Sequence, residues 1–280
     1  MEFLLLALVC YFGLRWLVYA RVLEQPALRC SLLQRVLRWL AQAGGGVALA
    51  VVLVALALAL PLLLGRYTLA PGRPDILTPA AAELLGVNEV LTAPRFLLLM
   101  ALNALWEELA FRGILLLLLV LALGALAKAV AGQRLLRSPR FQALLWLHAI
   151  IVSAAAFSLL HGDNPHSAPL ASVNIFLIGV MLGFALFFTR GLTLPVAFHC
   201  GWNSLLELVN LPVSGYGFPT AWHPFTLAAA NGGMLTGGAF GPEASSGLTV
   251  LLLITLAVCL STLPRFLRHA PAPPPPPLRR

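Results

Sequence analysis

Residues 94–126 read PRFLLLMALNALWEELAFRGILLLLLVLALGAL, and the only charged side chains in that stretch are Arg95, Glu107, Glu108 and Arg112. A bilayer's hydrocarbon core is about 30 Å thick and takes about 20 apolar residues per helix. The stretch therefore reads as a membrane span with length to spare, able to tilt, kink or extend into water. Six further apolar runs flank it, at 3–20, 46–64, 141–161, 170–189, 193–210 and 248–264. The whole chain agrees: of 280 residues, 60% are hydrophobic and 10% charged, and the mean hydropathy is +0.92. A soluble domain carries about 25% charged residues, so this chain has too little polar surface to fold in water. The expected fold is all-α, a polytopic transmembrane helical bundle of about seven spans, with room for a re-entrant or broken helix. Soluble dinucleotide-binding folds and disulfide scaffolds are excluded. Cys10, Cys30, Cys200 and Cys259 form no CxxC pair and read as small hydrophobes.

The punctuation divides the chain further. Glu2 precedes the first run, and Arg15 and Arg21 stand where a cleavage site would need small residues, so this run reads as a retained anchor. Gly44-Gly45-Gly46 opens the second run, and Pro94 begins the third, where its missing N–H costs nothing. The expected parts are N-terminal helices and loops over 1–93, a transmembrane core over 94–210 and an extramembrane loop over 211–247. A last span over 248–264 and a basic, proline-rich tail over 265–280 follow. Net charge is +8, which could suggest nucleic acid, but the basic residues sit between apolar runs as topology signals do. Arg21, Arg29, Arg35, Arg38, Lys128, Arg134, Arg137, Arg140, Arg190, Arg265, Arg268, Arg279 and Arg280 share one side. Arg66, Arg73 and Arg95 share the other with Asp75, Glu83, Glu89, Asp163 and Glu243. The positive-inside rule places the N-terminus outside and the tail in the cytoplasm. The expected setting is a multi-pass protein of a bacterial inner membrane, with the bilayer as partner and no nucleic acid.

An ionisable residue inside an apolar run costs about 2.5–3.5 kcal/mol on insertion scales, so each is a candidate for function. Three clusters stand out. In Trp106-Glu107-Glu108-Leu109-Ala110-Phe111-Arg112, the adjacent carboxylates point about 100° apart. Glu108 and Arg112, at i and i+4, can pair along one face, leaving Glu107 with no arginine of its own. Phe157 and His161 are also i and i+4, and Gly162-Asp163-Asn164-Pro165 stops that helix. His199 and Asn203 repeat the spacing, Glu207 extends the stripe, and Gly201 permits close approach of a neighbour. The plainer readings are a buried Glu–Arg clamp, a capping histidine and an interhelical hydrogen-bond seam. His148 and His166 have no motif around them and read as structural.

EExxxR, FxxxH and HxxxN, in this order on successive apolar runs from about Pro94 to Asn210, resemble the CPBP family of intramembrane proteases. That family includes the type II CAAX prenyl endopeptidases and relatives linked to bacteriocin self-immunity. A segment from Asn231 through Leu235-Thr236-Gly237-Gly238-Ala239-Phe240-Gly241-Pro242-Glu243 also looks like a loop of bacterial members. The resemblance implies an endopeptidase acting on a peptide bond of a membrane-anchored protein or peptide. It implies that Glu107 is the base that activates water and that His161 holds this water or shuttles its proton. His199 and Asn203 would bind the oxyanion, with Glu108, Arg112 and Phe157 as supports. Base, water and an oxyanion donor are what amide hydrolysis requires.

A Glu with two histidines is also a plausible zinc set, here Glu107, His161 and His199. HExxH is absent, however, and the three would come from separate helices, so a metal-free reading is favoured. The competing class is a non-catalytic transporter, or an immunity or scaffold protein that retains the fold. No internal inverted repeat or pair of broken helices supports it. Abundant Ala, Leu, Arg and Pro suggest GC-rich bacterial coding, where prenylation is not expected, so the expected substrate is not prenylated. On a simple span map His161 and His199 fall near opposite membrane surfaces, so a shared site requires a broken or displaced run.

Overall fold

A computed structural model describes residues 2–18, 31–71, 92–218, 225–229 and 233–269. Arg21, Arg29, Cys30, Arg73, Asp75, Glu83, Glu89, the start of the 231–243 loop and the proline tail lie outside these residues. In chain order the elements are α1 (Glu2–Trp16), α2 (Leu32–Leu63), β1 (Tyr67–Pro71), α3 (Ala93–Glu108) and a π-helical segment (Leu109–Leu115). Then come α4 (Leu116–Ala131), α5 (Gln133–Leu136), α6 (Pro139–Leu160), α7 (Pro169–Thr189), α8 (Thr193–Leu208), β2 (Phe225–Ala229) and α9 (Ser246–His269). The fold is a helical membrane bundle, as the hydropathy requires. Among the described residues five helices are long and apolar enough to cross a membrane: Leu32–Leu63, Ala93–Ala131, Pro139–Leu160, Pro169–Thr189 and Ser246–Arg265. The first and sixth apolar runs form shorter helices. At 1.5 Å per residue, the 16 residues of α8 reach about 24 Å, less than the hydrocarbon thickness.

Two helices differ from the apolar runs that announce them. Helix α2 begins at Leu32, well before residue 46, because Ser31 and Gln34 form a capping box. The Ser31 Oγ accepts from the Gln34 N–H at 3.2 Å, and the Gln34 Oε1 accepts from the Ser31 N–H at 2.9 Å. The three glycines expected to open the run therefore lie inside the helix. The long third run stays helical over Ala93–Ala131 but changes its winding at Leu109–Leu115. Ser153 of α6 donates to the Phe111 carbonyl at 2.8 Å, satisfying a backbone group within that π turn.

Lipid offers no hydrophobic drive between helices, so small residues that let backbones touch do the assembling. Helix α7 is the enclosed one: 67% of its apolar window is buried, against 11% for α9. It meets α6 where a Cβ on Gly179 would come within 2.9 Å of the Ala154 Cβ, and one on Gly183 within 2.8 Å of Ile150. Helix α8 lies along α2 in the same way. A Cβ on Gly46 would stand 2.6 Å from the Leu194 carbonyl oxygen and 2.8 Å from the Phe198 nitrogen.

Outside the spans, β1 and β2 pair antiparallel, with Tyr67 opposite Ala229 and Pro71 opposite Phe225. The Tyr67 hydroxyl donates to the Thr236 carbonyl at 3.0 Å, and burial pushes its pKa up to about 12, so it remains a donor.

The α2–α8 contact gives a direct test. Gly46→Ala should lower stability in detergent by about 1–3 kcal/mol, because the new methyl meets backbone rather than a movable side chain. Gly44→Ala, with nothing within 4 Å of its Cβ, should not. Equal thermal denaturation midpoints for the two variants would show that this backbone contact is not made.

Candidate active site

The site begins at the last turn of α3. Glu108 is fully buried, and one of its oxygens serves two partners. Oε1 accepts from Arg112 Nη1 at 2.9 Å and lies 2.9 Å from His199 Nδ1. A carboxylate can only accept, so His199 carries its proton on Nδ1 and turns Nε2 away from Glu108. Arg112, 1% exposed, also lies over the Phe157 ring with its guanidinium carbon 4.2 Å from the centroid. The pair expected from the i,i+4 spacing is thus formed, and it reaches one helix further than expected, to α8.

Glu107 faces elsewhere. Its Oε1 accepts from Asn103 Nδ2, one turn earlier, at 2.9 Å. Its Oε2 has no hydrogen-bond partner and is buried, with His161 Nε2 at 3.8 Å and His199 Nε2 at 3.7 Å. His161 follows the last residue of α6, and its Nδ1 lies 2.7 Å from the Phe157 carbonyl. A carbonyl only accepts, so this ring too carries its proton on Nδ1 and presents Nε2 to Glu107. One carboxylate oxygen therefore faces two imidazole nitrogens brought by two other helices. The side chains of Glu107, His161 and His199 are 21%, 15% and 12% exposed, so the centre is enclosed yet can be approached.

Phe157 fills the space among these groups. Its ring stands 4.4 Å from the His161 ring, 5.1 Å from Phe111 and 6.3 Å from His199, edge-on to the last two. Asn203, one turn after His199 on the same face of α8, is buried. Glu207, a turn further on, is also buried. His148 bonds its own preceding turn, with Nδ1 2.7 Å from the Leu144 carbonyl, and His166 takes a left-handed turn at φ 58°.

The opposite-surface problem is resolved by α8 and by the end of α6. His199 lies within a short helix and His161 at the terminus of a long one, and both come within 4 Å of Glu107. Glu107, His161 and His199 face one another, but no group of three or more His, Cys, Asp or Glu among the described residues is arranged to hold a metal ion. Separations of 3.7–3.8 Å are too long for direct hydrogen bonds and suit a bridging water. Three further residues matter whose partners the sequence motifs do not reveal. Asn103 shows a signal in its i−4 relation to Glu107. The link from Ser153 to the π turn and the hold of Glu243 on Trp202 connect residues far apart in the chain, and no local spacing reveals them.

A family model described as type II CAAX prenyl endopeptidase Rce1-like matches residues 89–205. That segment contains all three motifs, and the resemblance they carry is borne out. No curated protein and no solved structure matches the chain. The protein is a multi-pass membrane protein whose motif-bearing segment is similar to the CAAX proteases.

The two adjacent carboxylates should separate in a stability measurement. Removing one member of a buried ion pair costs about 3–5 kcal/mol, because its partner is left charged and alone. Glu108→Gln and Arg112→Gln should each lower the melting temperature in detergent, and the double variant should lose less than the two singles summed. Glu107→Gln keeps an oxygen for Asn103 and should melt close to the parent. A Glu107→Gln loss as large as that of Glu108→Gln would contradict the division.

Proposed function

We propose that the protein is an intramembrane endopeptidase in which Glu107 activates water to hydrolyse a peptide bond of a membrane-anchored protein or peptide. The observation that carries this reading is the unpartnered Glu107 Oε2 lying 3.7–3.8 Å from two imidazoles, beside Glu108, whose Oε1 is held by Arg112 and His199. The family match to residues 89–205 supports this reaction class.

In this mechanism a water beside Glu107 Oε2 donates one hydrogen to that oxygen and the other to Nε2 of His161 or His199. Glu107 takes one proton as the water oxygen attacks the scissile carbonyl carbon. Negative charge then gathers on the carbonyl oxygen, where the Asn203 amide donates to it. His199 can donate as well when it carries a second proton, because Glu108 at its Nδ1 stabilises the imidazolium. The C–N bond breaks as the amine receives the proton first held by Glu107, with His161 placed to relay it. One water is consumed, a carboxylic acid and an amine result, and the enzyme returns to its starting protonation. The enclosed setting strengthens each interaction relative to water.

The reading is metal-free. The substrate class is a non-prenylated, membrane-anchored protein or peptide, in keeping with the GC-rich character of the composition. The setting is a bacterial inner membrane with the tail in the cytoplasm.

The test uses the purified full-length protein in proteoliposomes with lipid-anchored peptides of varied sequence. Glu107→Gln should reduce kcat by at least about 10²-fold, and Asn203→Ala by about 10²–10³-fold, the usual effect of deleting an oxyanion donor. Activity should survive chelation and be indifferent to added zinc. Stoichiometric zinc lost together with activity would overturn the metal-free reading. Proton-coupled flux with no cleavage product would make the protein a transporter instead.

A further inference from the structure

We infer that Glu243, outside the matched segment, is a positioning residue that sets the rotation of α8 and so the aim of His199 and Asn203. This rests on the proposed protease mechanism for its catalytic consequence, though not for its geometry.

Glu243 follows the loop Gly237–Gly241 and is buried, yet its carboxylate is fully used. Oε1 accepts from Trp202 Nε1 at 3.0 Å, and Oε2 accepts from the Ser214 hydroxyl at 2.9 Å and from the Ser214 backbone N–H. Its own backbone is held in turn. Asn174 of α7 donates to the carbonyls of Glu243 and Ser245 at 2.8 and 2.9 Å, and Thr249 of α9 donates to the Asn174 Oδ1 at 2.7 Å. The carboxylate therefore ties α8 to the enclosed helix of the bundle and to its last span. Burying a carboxylate is expensive unless its oxygens are hydrogen-bonded, and here the donors come from two different segments.

The effect on the site follows from helix geometry. At about 100° per residue, Trp202 projects about 60° to one side of His199, and Asn203 about 40° to the other. Leu194, Ala197 and Gly201 fall on the opposite face, where they meet α2 at Gly46, Val47 and Ala50. Packing on α2 fixes where α8 lies. A smooth contact of small residues resists rotation weakly, whereas a directed indole–carboxylate bond resists it well. Side-chain tips lie about 5–6 Å from a helix axis, so a turn of about 10° displaces them by about 1 Å. A misplacement of that size can cost about 10²-fold in rate. The same loop also carries Phe240, which is buried against Phe157, Ala171 and Ile175. Its departure would open the side of the site occupied by Phe157.

The experiment compares Trp202→Phe, which keeps the ring on Phe198 but deletes the N–H, with Glu243→Ala and Glu243→Gln in the full chain. For a cleaved lipid-anchored peptide, Trp202→Phe and Glu243→Ala should each lower kcat about 10- to 100-fold, with KM within about twofold of the parent. Glu243→Gln keeps one oxygen, which can serve the indole or the Ser214 N–H but not both, and should recover only part of the loss. In the Trp202→Phe background, Glu243→Gln should cost nothing further. ¹⁵N-histidine spectra of the same proteins give a readout independent of turnover. The His199 ring resonances should shift in Trp202→Phe, while those of His148 stay in place. Parent-like kcat or parent-like His199 resonances in Trp202→Phe would overturn the inference, even with a lowered melting temperature. If the parent cleaves nothing, the spectra alone decide the positioning role, and the protease reading fails separately.

Discussion

One carboxylate oxygen shared between an arginine and an imidazole sets the rest of the site. Charges in a low-dielectric interior persist only when paired and hydrogen-bonded. Glu108 Oε1 meets that demand twice, with Arg112 one turn along its own helix and with His199 across on α8. The sharing has two consequences. It fixes which nitrogen of His199 carries the proton, and it ties Glu108 to two helices, so that the proposed chemistry falls to the adjacent Glu107. The angle of about 100° between neighbours on a helix points the two carboxylates at different partners, Glu108 at Arg112 and His199 and Glu107 at Asn103.

The membrane shapes everything around that pair. Backbone groups in lipid must be satisfied within the protein, and the π turn after Glu108 meets this condition through Ser153, whose hydroxyl reaches the Phe111 carbonyl. That turn holds Arg112 where it contacts both Glu108 and the face of Phe157. Gly46 and Gly201 bring α2 and α8 close enough for a short helix to be held deep in the bundle. Without such contacts α8 could not carry His199 to the level at which α6 ends with His161.

Much of this is legible in the chain. The spans at 141–161 and 170–189 match helices to within about two residues, because apolar length alone decides them. The Glu108–Arg112 pair is legible because its i,i+4 spacing is local. Three motifs in order carry the resemblance to the family whose model matches residues 89–205. Other features are hidden for physical reasons. Hydropathy sees apolar surface and not backbone caps, so it places the start of α2 at the glycines and passes over Ser31 and Gln34. The π turn depends on a hydroxyl from another helix, and a period-based reading of 94–126 cannot detect it. Glu243 sits among glycines in a loop, where its charge suggests exposure, while its donors Trp202 and Ser214 lie dozens of residues earlier. The shared oxygen of Glu108 is half visible: the arginine can be predicted, but the imidazole cannot.

The central claim is that the Glu107 centre cuts peptide bonds in membrane-associated proteins. Its most direct test works without a chosen substrate. New protein termini would be mapped by quantitative mass spectrometry in membranes from cells expressing the parent protein, Glu107→Gln, or neither. The account predicts a set of termini present with the parent and missing, with intact precursors accumulating, in both other samples. Identical termini in parent and Glu107→Gln membranes would contradict it.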